Sequence, residues 1–87
     1  MKNIVNCIID AMEKNNYNFK VKNAWDDTIT LVLIDGKEDV YYIDFNIELE
    51  KIFIFETWRG NVELIYNYDL HDFTTVTNFI EVFYEYN

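Results

Sequence analysis

The sequence of 87 residues has no serine and no proline, two glycines, one histidine and one cysteine. Without serine there is no serine nucleophile, and two isolated glycines cannot form a loop that cradles phosphates. His71, beside Asp72, supplies too few ligands for a metal site. Cys7 excludes an internal disulfide and is expected to be a buried structural thiol. We therefore expect a protein that is not an enzyme and that holds no metal and no cofactor.

Hydropathy indicates a small folded domain without a membrane anchor. Apolar residues make up 51% of the chain and aromatic residues 18%, too much for a disordered acidic tail. The apolar run behind Lys2 is broken by Asn6, Asp10 and Glu13, so it resembles neither a signal peptide nor a membrane span. With no linker and no repeat, we expect one domain over residues 1–87. The lone cysteine fits a reducing, cytoplasmic compartment.

Helical periodicity marks both ends of the chain. Residues 2–15 have apolar side chains at helical spacing: Ile4, Val5, Ile8, Ala11 and Met12. Asn15 and Asn16 end this helix, because asparagine tolerates the left-handed conformation. Residues 70–86 repeat the pattern with Phe73, Val76, Ile80 and Phe83, and Asp69 is the predicted cap. Each apolar stripe is expected to dock on a sheet.

Between the helices, the pattern predicts five strands. Residues 17–22 alternate apolar and polar, residues 23–27 (NAWDD) read as a loop, and residues 28–34 (TITLVLI) are nearly all apolar. The hairpin Val40 to Phe55 is predicted to turn within residues 47–50, and further turns are predicted before it at Asp35-Gly36 and after it at Gly60. The sequence therefore predicts an α+β fold: helix, five-stranded antiparallel meander, helix.

The register of the first two hairpins follows from keeping the apolar residues on one face. An odd-numbered loop, such as residues 35–39, would pair three residues of each strand: Ile29, Leu31 and Leu33 with Phe45, Ile43 and Tyr41. The second hairpin, turning at 47–50, leaves Ile52 and Ile54 on that face.

The third hairpin offers two loops. A two-residue Arg59-Gly60 turn would set Glu56 opposite Glu63, and like charges facing each other destabilise a sheet. A three-residue loop, residues 59–61, avoids this contact. It would pair Ile54 with Tyr66 and Phe55 with Ile65, and we expect this loop.

The second face of the meander is apolar as well: Val32, Ile34, Val40, Tyr42, Phe53, Phe55 and Ile65. Two arrangements are compatible with this. Either the helices cover opposite faces, or both cover one face and an aromatic patch is left for a partner.

The net charge of −9 is concentrated in the body of the chain. Residues 23–87 contain three basic side chains and fourteen acidic ones. Such a field repels nucleic acid and membrane surfaces and attracts basic partners. The alternative is that many cytosolic proteins are simply acidic.

Several acidic residues stand next to aromatic residues in the sequence, and this combination is typical of protein interfaces. Carboxylates can stand in for phosphates toward arginine and lysine. The residues expected to bind a partner are Asp26, Asp27, Asp44, Glu48, Glu50, Glu56 and Glu63, with Tyr42 and Trp58 as anchors. The alternative is solvated loops and ordinary sheet tyrosines.

Several features of this acidic chain resemble those of a known family. They are the segment NNYNFKVK, the TIT strand, the Asp35-Gly36 turn and the tyrosine-bearing return strand. Together with the short N-terminal helix they resemble small phage-encoded anti-CRISPR proteins that inhibit type II effector nucleases. The resemblance covers about the first 45 residues and ends after Asn46, where such inhibitors would place helices. It implies a protein of a bacterial host's cytoplasm that occupies the DNA channel of a CRISPR effector nuclease, its carboxylates meeting DNA-reading arginines.

The leading expectation is therefore a non-enzymatic inhibitor, a DNA mimic that binds a basic nucleic-acid-binding protein and not nucleic acid itself. An immunity protein or antitoxin that neutralises a basic toxin is the first alternative, and a neighbouring toxin gene would favour it. A structural module that forms a homodimer through the second sheet face is the other, and a salt-insensitive dimer would favour that one.

Overall fold

The computed structural model describes residues 2–25 and 27–86 and confirms the predicted α+β fold. The elements are α1 Lys2–Lys14, β1 Phe19–Trp25, β2 Thr28–Asp35, β3 Glu38–Asn46, β4 Lys51–Trp58, β5 Asn61–Asp69, a 3₁₀ turn Leu70–Asp72 and α2 Phe73–Glu85. All neighbouring strands are antiparallel, in the order β1-β2-β3-β4-β5. The chain forms two compact units, the helices and the sheet. One domain over residues 1–87 stays a prediction.

In the helical unit, α1 ends as predicted at the two asparagines. Asn16 has φ 57, and the N–H groups of Asn16 and Tyr17 donate to the carbonyls of Glu13 and Met12, both at 3.0 Å. This left-handed C-terminal motif satisfies two carbonyls that the helix leaves without partners. The buried stripe of α1 is Val5, Ile8 and Met12. Cys7, expected to be buried, is exposed, because it lies beside that stripe and not within it.

The start of α2 differs from the prediction. A 3₁₀ turn comes first, and Asp69 is the last residue of β5, where its carboxylate binds Lys51 instead of capping the helix. At the far end of α2, Tyr17 stacks on Tyr84 with ring centroids 4.3 Å apart and donates to Glu85 Oε1 at 2.8 Å. Partial burial and that carboxylate raise the pKa of Tyr17 to about 12. These contacts join α1 to α2.

The first hairpin has the predicted register but a shorter turn. Ile29, Leu31 and Leu33 pair with Phe45, Ile43 and Tyr41. The predicted five-residue loop is wrong, since β2 and β3 extend to Asp35 and Glu38 and leave only Gly36 and Lys37 in the turn. Gly36 has φ +64, as such a turn requires. A bulge at Val40 supplies the one-residue shift that keeps the core residues on one face.

The second hairpin turns at 47–50 as predicted and pairs Ile52 with Phe45 and Ile54 with Ile43. The first strand does not end where predicted. It continues through residues 23–25, expected to be loop, past an irregularity between Lys22 and Trp25, and Trp25 pairs with Thr28. Because Trp25 and Thr28 are paired, the connection needs only two residues.

The predicted three-residue loop of the third hairpin is wrong. Trp58 pairs with Asn61, so the turn is Arg59-Gly60, and Glu56 does lie opposite Glu63. Arg59 and Gly60 have φ 47 and 83, the pair of positive values found in tight two-residue hairpin turns. Ile54 pairs with Tyr66 as predicted, whereas Phe55 pairs with Leu64 because Ile65 is the extra residue of a bulge.

The two faces of the sheet differ in burial. On the first face Leu31, Ile43, Phe45, Ile52 and Ile54 are completely buried. On the second face Val32 is buried, but Tyr42, Phe53 and Phe55 are only half-buried. In β5 the side chains of Val62 and Leu64, which pair with Thr57 and Phe55 on this face, are exposed. The second face therefore leaves apolar surface accessible.

The Glu56–Glu63 pair gives a test of the third hairpin. We expect Glu63→Gln to raise the free energy of unfolding by up to about 1 kcal/mol, since it removes a like-charge cross-strand pair. Urea denaturation measures this, and the gain should shrink in about 1 M NaCl. Asp10→Asn, which removes an exposed carboxylate from α1, is the matched control. Equal gains in both variants would contradict the assignment of the effect to the hairpin.

Candidate acidic interface

Three of the predicted carboxylates meet at one end of the sheet, which we call the acidic end. One row of paired residues, Thr28, Asn46, Lys51 and Asp69, crosses β2 to β5 there. Asp27 lies immediately before this row, and Glu48 and Glu50 lie in the turn that joins β3 to β4. Both glutamates are exposed and Asp27 is half-buried.

Hydrogen bonds hold in place the backbone that carries these carboxylates. The Ile47 N–H donates to the Asp27 carbonyl at 2.8 Å, which joins the β3–β4 turn to the segment before β2. Within the turn, the Leu49 N–H donates to Asn46 Oδ1 at 2.9 Å. Glu50 has φ 53, and its carbonyl accepts from the Leu70 N–H at 2.9 Å, which ties the turn to the end of β5. The acidic end is therefore a braced surface and not a set of independent loops.

Glu48 and Asp27 form a close carboxyl pair. A side-chain hydrogen bond with Asp27, followed by the charge of Asp27, raises the pKa of Glu48 above its ordinary value. Two carboxylates this close repel when both are ionised, and this repulsion favours the protonated form of Glu48.

Two further predicted residues lie on the second face: Asp44, near the acidic end, and Tyr42, at the middle of β3. Asp44 is two residues before Asn46 and accepts a hydrogen bond from Thr30 Oγ1 at 2.7 Å. The Tyr42 hydroxyl donates to Asp39 Oδ2 at 3.3 Å. Burial, and then the Asp39 charge, raise the pKa of Tyr42, which keeps the phenol protonated.

The remaining predicted residues do not join this group. Glu56 and Glu63 face each other on the first face, where burial and then the Glu56 charge raise the pKa of Tyr41. Trp58 is 66% exposed at the opposite end, with the Arg59 guanidinium 5.5 Å from its ring. The nine residues therefore do not form one surface, because strand alternation sends them to different faces and ends. Asp26 lies outside the described residues.

The sequence prediction missed two side chains beside Asp44. Thr30 pairs directly with both Asp44 and Lys22, and the Lys22 ammonium lies 5.6 Å from the centre of the Tyr42 ring. The alternation of Lys20 and Lys22 along the first strand was the available signal, since it places both on the face opposite the core. Recognising their neighbours requires the register of three strands.

Within residues 2–25 and 27–86, no three His, Cys, Asp or Glu side chains are grouped so that they could hold a metal ion. Neither helix in this part of the chain has the length and hydropathy needed to cross a membrane. What the acidic end offers chemically is a fixed array of hydrogen-bond acceptors for cationic groups.

The carboxyl pair makes a pH-dependent prediction. Because folding raises the pKa of Glu48, the folded state binds its proton more tightly, so the pair lowers stability as pH rises above the ordinary value of 4.5. Glu48→Gln should therefore raise Tm at about pH 7 and leave it unchanged at about pH 3, where the carboxyls are protonated. Glu81→Gln, at an exposed site on α2, is the control for thermal melts at both pH values. A gain that persists at low pH would contradict the pairing.

Comparison with known proteins found no match: no family model, no curated protein sequence and no solved structure is similar to this chain. No residue role can therefore be transferred from a relative. The functional argument depends on the positions and chemistry of the chain's own side chains.

Proposed function

We propose that this protein is a non-enzymatic inhibitor that binds a basic nucleic-acid-binding protein in place of DNA. The observation that carries the proposal is the acidic end, where Asp27, Glu48 and Glu50 are held by backbone hydrogen bonds that join the β3–β4 turn to its two neighbours. The interface consists of these three carboxylates, with Asp44 and Tyr42 beside them on the second face.

Electrostatics supports a basic partner. The chain carries a net charge of −9, and the raised pKa of Glu48 reflects repulsion between its carboxylate and that of Asp27. A cationic partner relieves this repulsion on binding, so part of the unfavourable energy of the free protein becomes favourable energy of association. Arginine and lysine side chains that bind DNA phosphates can bind carboxylates with similar geometry.

A type II CRISPR effector nuclease is the proposed target, since the resemblance of the first part of the chain points to inhibitors of that class. In such a nuclease, arginines that read the short duplex motif beside the target are the groups that carboxylates would engage. The protein would then act in the cytoplasm of a bacterial host, without binding nucleic acid or membrane itself.

The test is inhibition of DNA cleavage by a purified, guide-loaded type II nuclease. We expect wild-type protein to inhibit, with a potency that falls steeply as salt rises. The variant Asp27→Asn, Glu48→Gln, Glu50→Gln should lose at least about tenfold in potency, because it removes the braced carboxylates. The control variant Asp10→Asn, Glu13→Gln, Glu81→Gln removes the same charge from exposed helix positions.

Two outcomes would contradict the proposal. Equal loss in both triple variants would mean that net charge, and not the acidic end, determines binding. Failure to inhibit, together with a pull-down from bacterial lysate that recovers no nucleic-acid-binding protein, would exclude the whole class of function.

A homo-oligomerising module is the second candidate, favoured by the exposed apolar side chains of β5, Val62 and Leu64. It predicts a dimer whose association is insensitive to salt, because apolar contact would drive it. Size-exclusion chromatography at low and high salt distinguishes this candidate from the inhibitor, whose binding is salt-sensitive.

A further inference from the structure

We propose that a cleft on the second sheet face is a binding site for a single arginine side chain of the partner. The sheet-face cleft has a volume of about 340 Å³ and is lined by Lys22, Thr30, Tyr42, Asp44, Phe55 and Val62. This volume is at the small end of the range for ligand sites. That the arginine comes from a basic protein rests on the proposed function. That the cleft can bind an arginine follows from the chemistry of its own side chains.

The register of the sheet builds the cleft in two rows. Lys22, Thr30 and Asp44 are direct cross-strand neighbours, and so are Val32, Tyr42 and Phe55 in the next row. Directly paired side chains have Cβ atoms about 5 Å apart, so each row is a continuous strip of contacts. A carboxylate in one row thus adjoins aromatic rings in the other.

Asp44 supplies the charged acceptor. Its Oδ1 atom accepts from the Thr30 hydroxyl at 2.7 Å, while Oδ2 has no hydrogen-bond partner among the described residues. The threonine orients the carboxylate, and the side chain is half-buried. A half-buried carboxylate with an available oxygen favours a cationic donor more strongly than a fully solvated one.

Tyr42 and Phe55 supply the walls, and Lys22 shows that the Tyr42 ring attracts a cation. The Lys22 ammonium lies 5.6 Å from the centre of the Tyr42 ring, within the range of a cation–π interaction. It forms no ion pair with Asp44 or with any other carboxylate of the described residues. Thr30 lies between Lys22 and Asp44 in the row, so the backbones of these two residues are two strand spacings, or about 10 Å, apart.

An arginine is the occupant that satisfies both features at once. Its planar guanidinium can stack on the Tyr42 ring while its N–H groups donate to Asp44, and its aliphatic stem can lie on Phe55 and Val62. A lysine ammonium is a point charge that cannot stack in this way. Lys22 is an internal competitor for the ring and would be displaced.

The test uses N-acetyl-arginine amide as the probe, titrated into the full chain and followed by NMR. We expect saturable shifts at Tyr42, Asp44 and Phe55, and none with the citrulline analogue, which has nearly the same shape without the charge. Asp44→Asn should weaken binding about tenfold or more, because the charge-assisted hydrogen bond is lost. This substitution keeps an oxygen that can accept from Thr30, and Tyr42→Leu, which removes the stacking surface, should weaken binding as well.

Substitution of Lys22 is expected to have the opposite effect on the affinity for the probe. Lys22→Gln should tighten probe binding several-fold, because it frees the ring and removes a repelling charge. Lys14→Gln, which removes an exposed lysine of α1, has the same effect on net charge and should change affinity much less. Together the variants separate a local site from a general electrostatic effect.

Shifts that do not saturate, that occur equally with citrulline, or that are unaffected by Asp44→Asn would overturn the proposal. So would equal effects of Lys22→Gln and Lys14→Gln. The probe needs no nuclease and no acidic end, so this site can fail while the inhibitor function holds. Conversely, the arginine probe can bind the cleft even if no nuclease is inhibited.

Discussion

The alternation of side chains along each strand is the constraint on which the rest of the sheet depends. Ile29, Leu31, Ile43, Phe45, Ile52 and Ile54 must share one face, because a slip of one residue would turn a whole strand's apolar residues to the other side. The glycine turns at Gly36 and Gly60 are two residues long, and two-residue turns alone do not give the observed pairing of β2 with β3 or of β4 with β5. In both hairpins a bulge on the returning strand, at Val40 and at Ile65, supplies the missing residue.

The same constraint creates the candidate binding surfaces. Once the core residues occupy the first face, their neighbours along each strand must lie on the second, and Lys22, Thr30 and Asp44 fall into one row. The direction of the chain brings the segment before β2, the β3–β4 turn and the end of β5 to one end of the sheet. The acidic end and the sheet-face cleft are therefore consequences of the register that the core requires.

Sequence reasoning succeeded where one dominant interaction decides, and failed where two small ones compete. Burial of several large apolar side chains determines the pairing of Leu31 with Ile43, and that pairing was predictable. At the third hairpin, the repulsion between Glu56 and Glu63 is a fraction of a kcal/mol, comparable to the advantage of a favourable turn. The prediction avoided the repulsion. The structure instead adopts the Arg59-Gly60 turn with Glu56 opposite Glu63, and the bulge at Ile65 restores the pairing of Ile54 with Tyr66.

For the candidate site, the residue types were predictable but their grouping was not. Acidic and aromatic residues mark the surface, yet the contact between Asp27 and Glu48 depends on two segments about 20 positions apart being joined by the Ile47–Asp27 hydrogen bond. The alternation along the first strand places Lys22 on the second face but does not identify its neighbours, and Thr30 carries no signal of its own. Their roles follow from their position beside Asp44 and Tyr42, which only the register of three strands reveals.

The distribution of charge between the two ends of the sheet also bears on how a partner would approach. At the acidic end, Asp27, Glu48, Glu50 and Asp69 are accompanied by one lysine, Lys51, which pairs with Asp69. At the opposite end, Lys20, Lys37 and Arg59 share a groove with Glu38 and Asp39, so the charges there nearly balance. The acidic end therefore carries more net negative charge than the opposite end. Steering by this charge would bring the proposed basic partner to the end of the sheet nearer to Asp44, where the proposed arginine site lies.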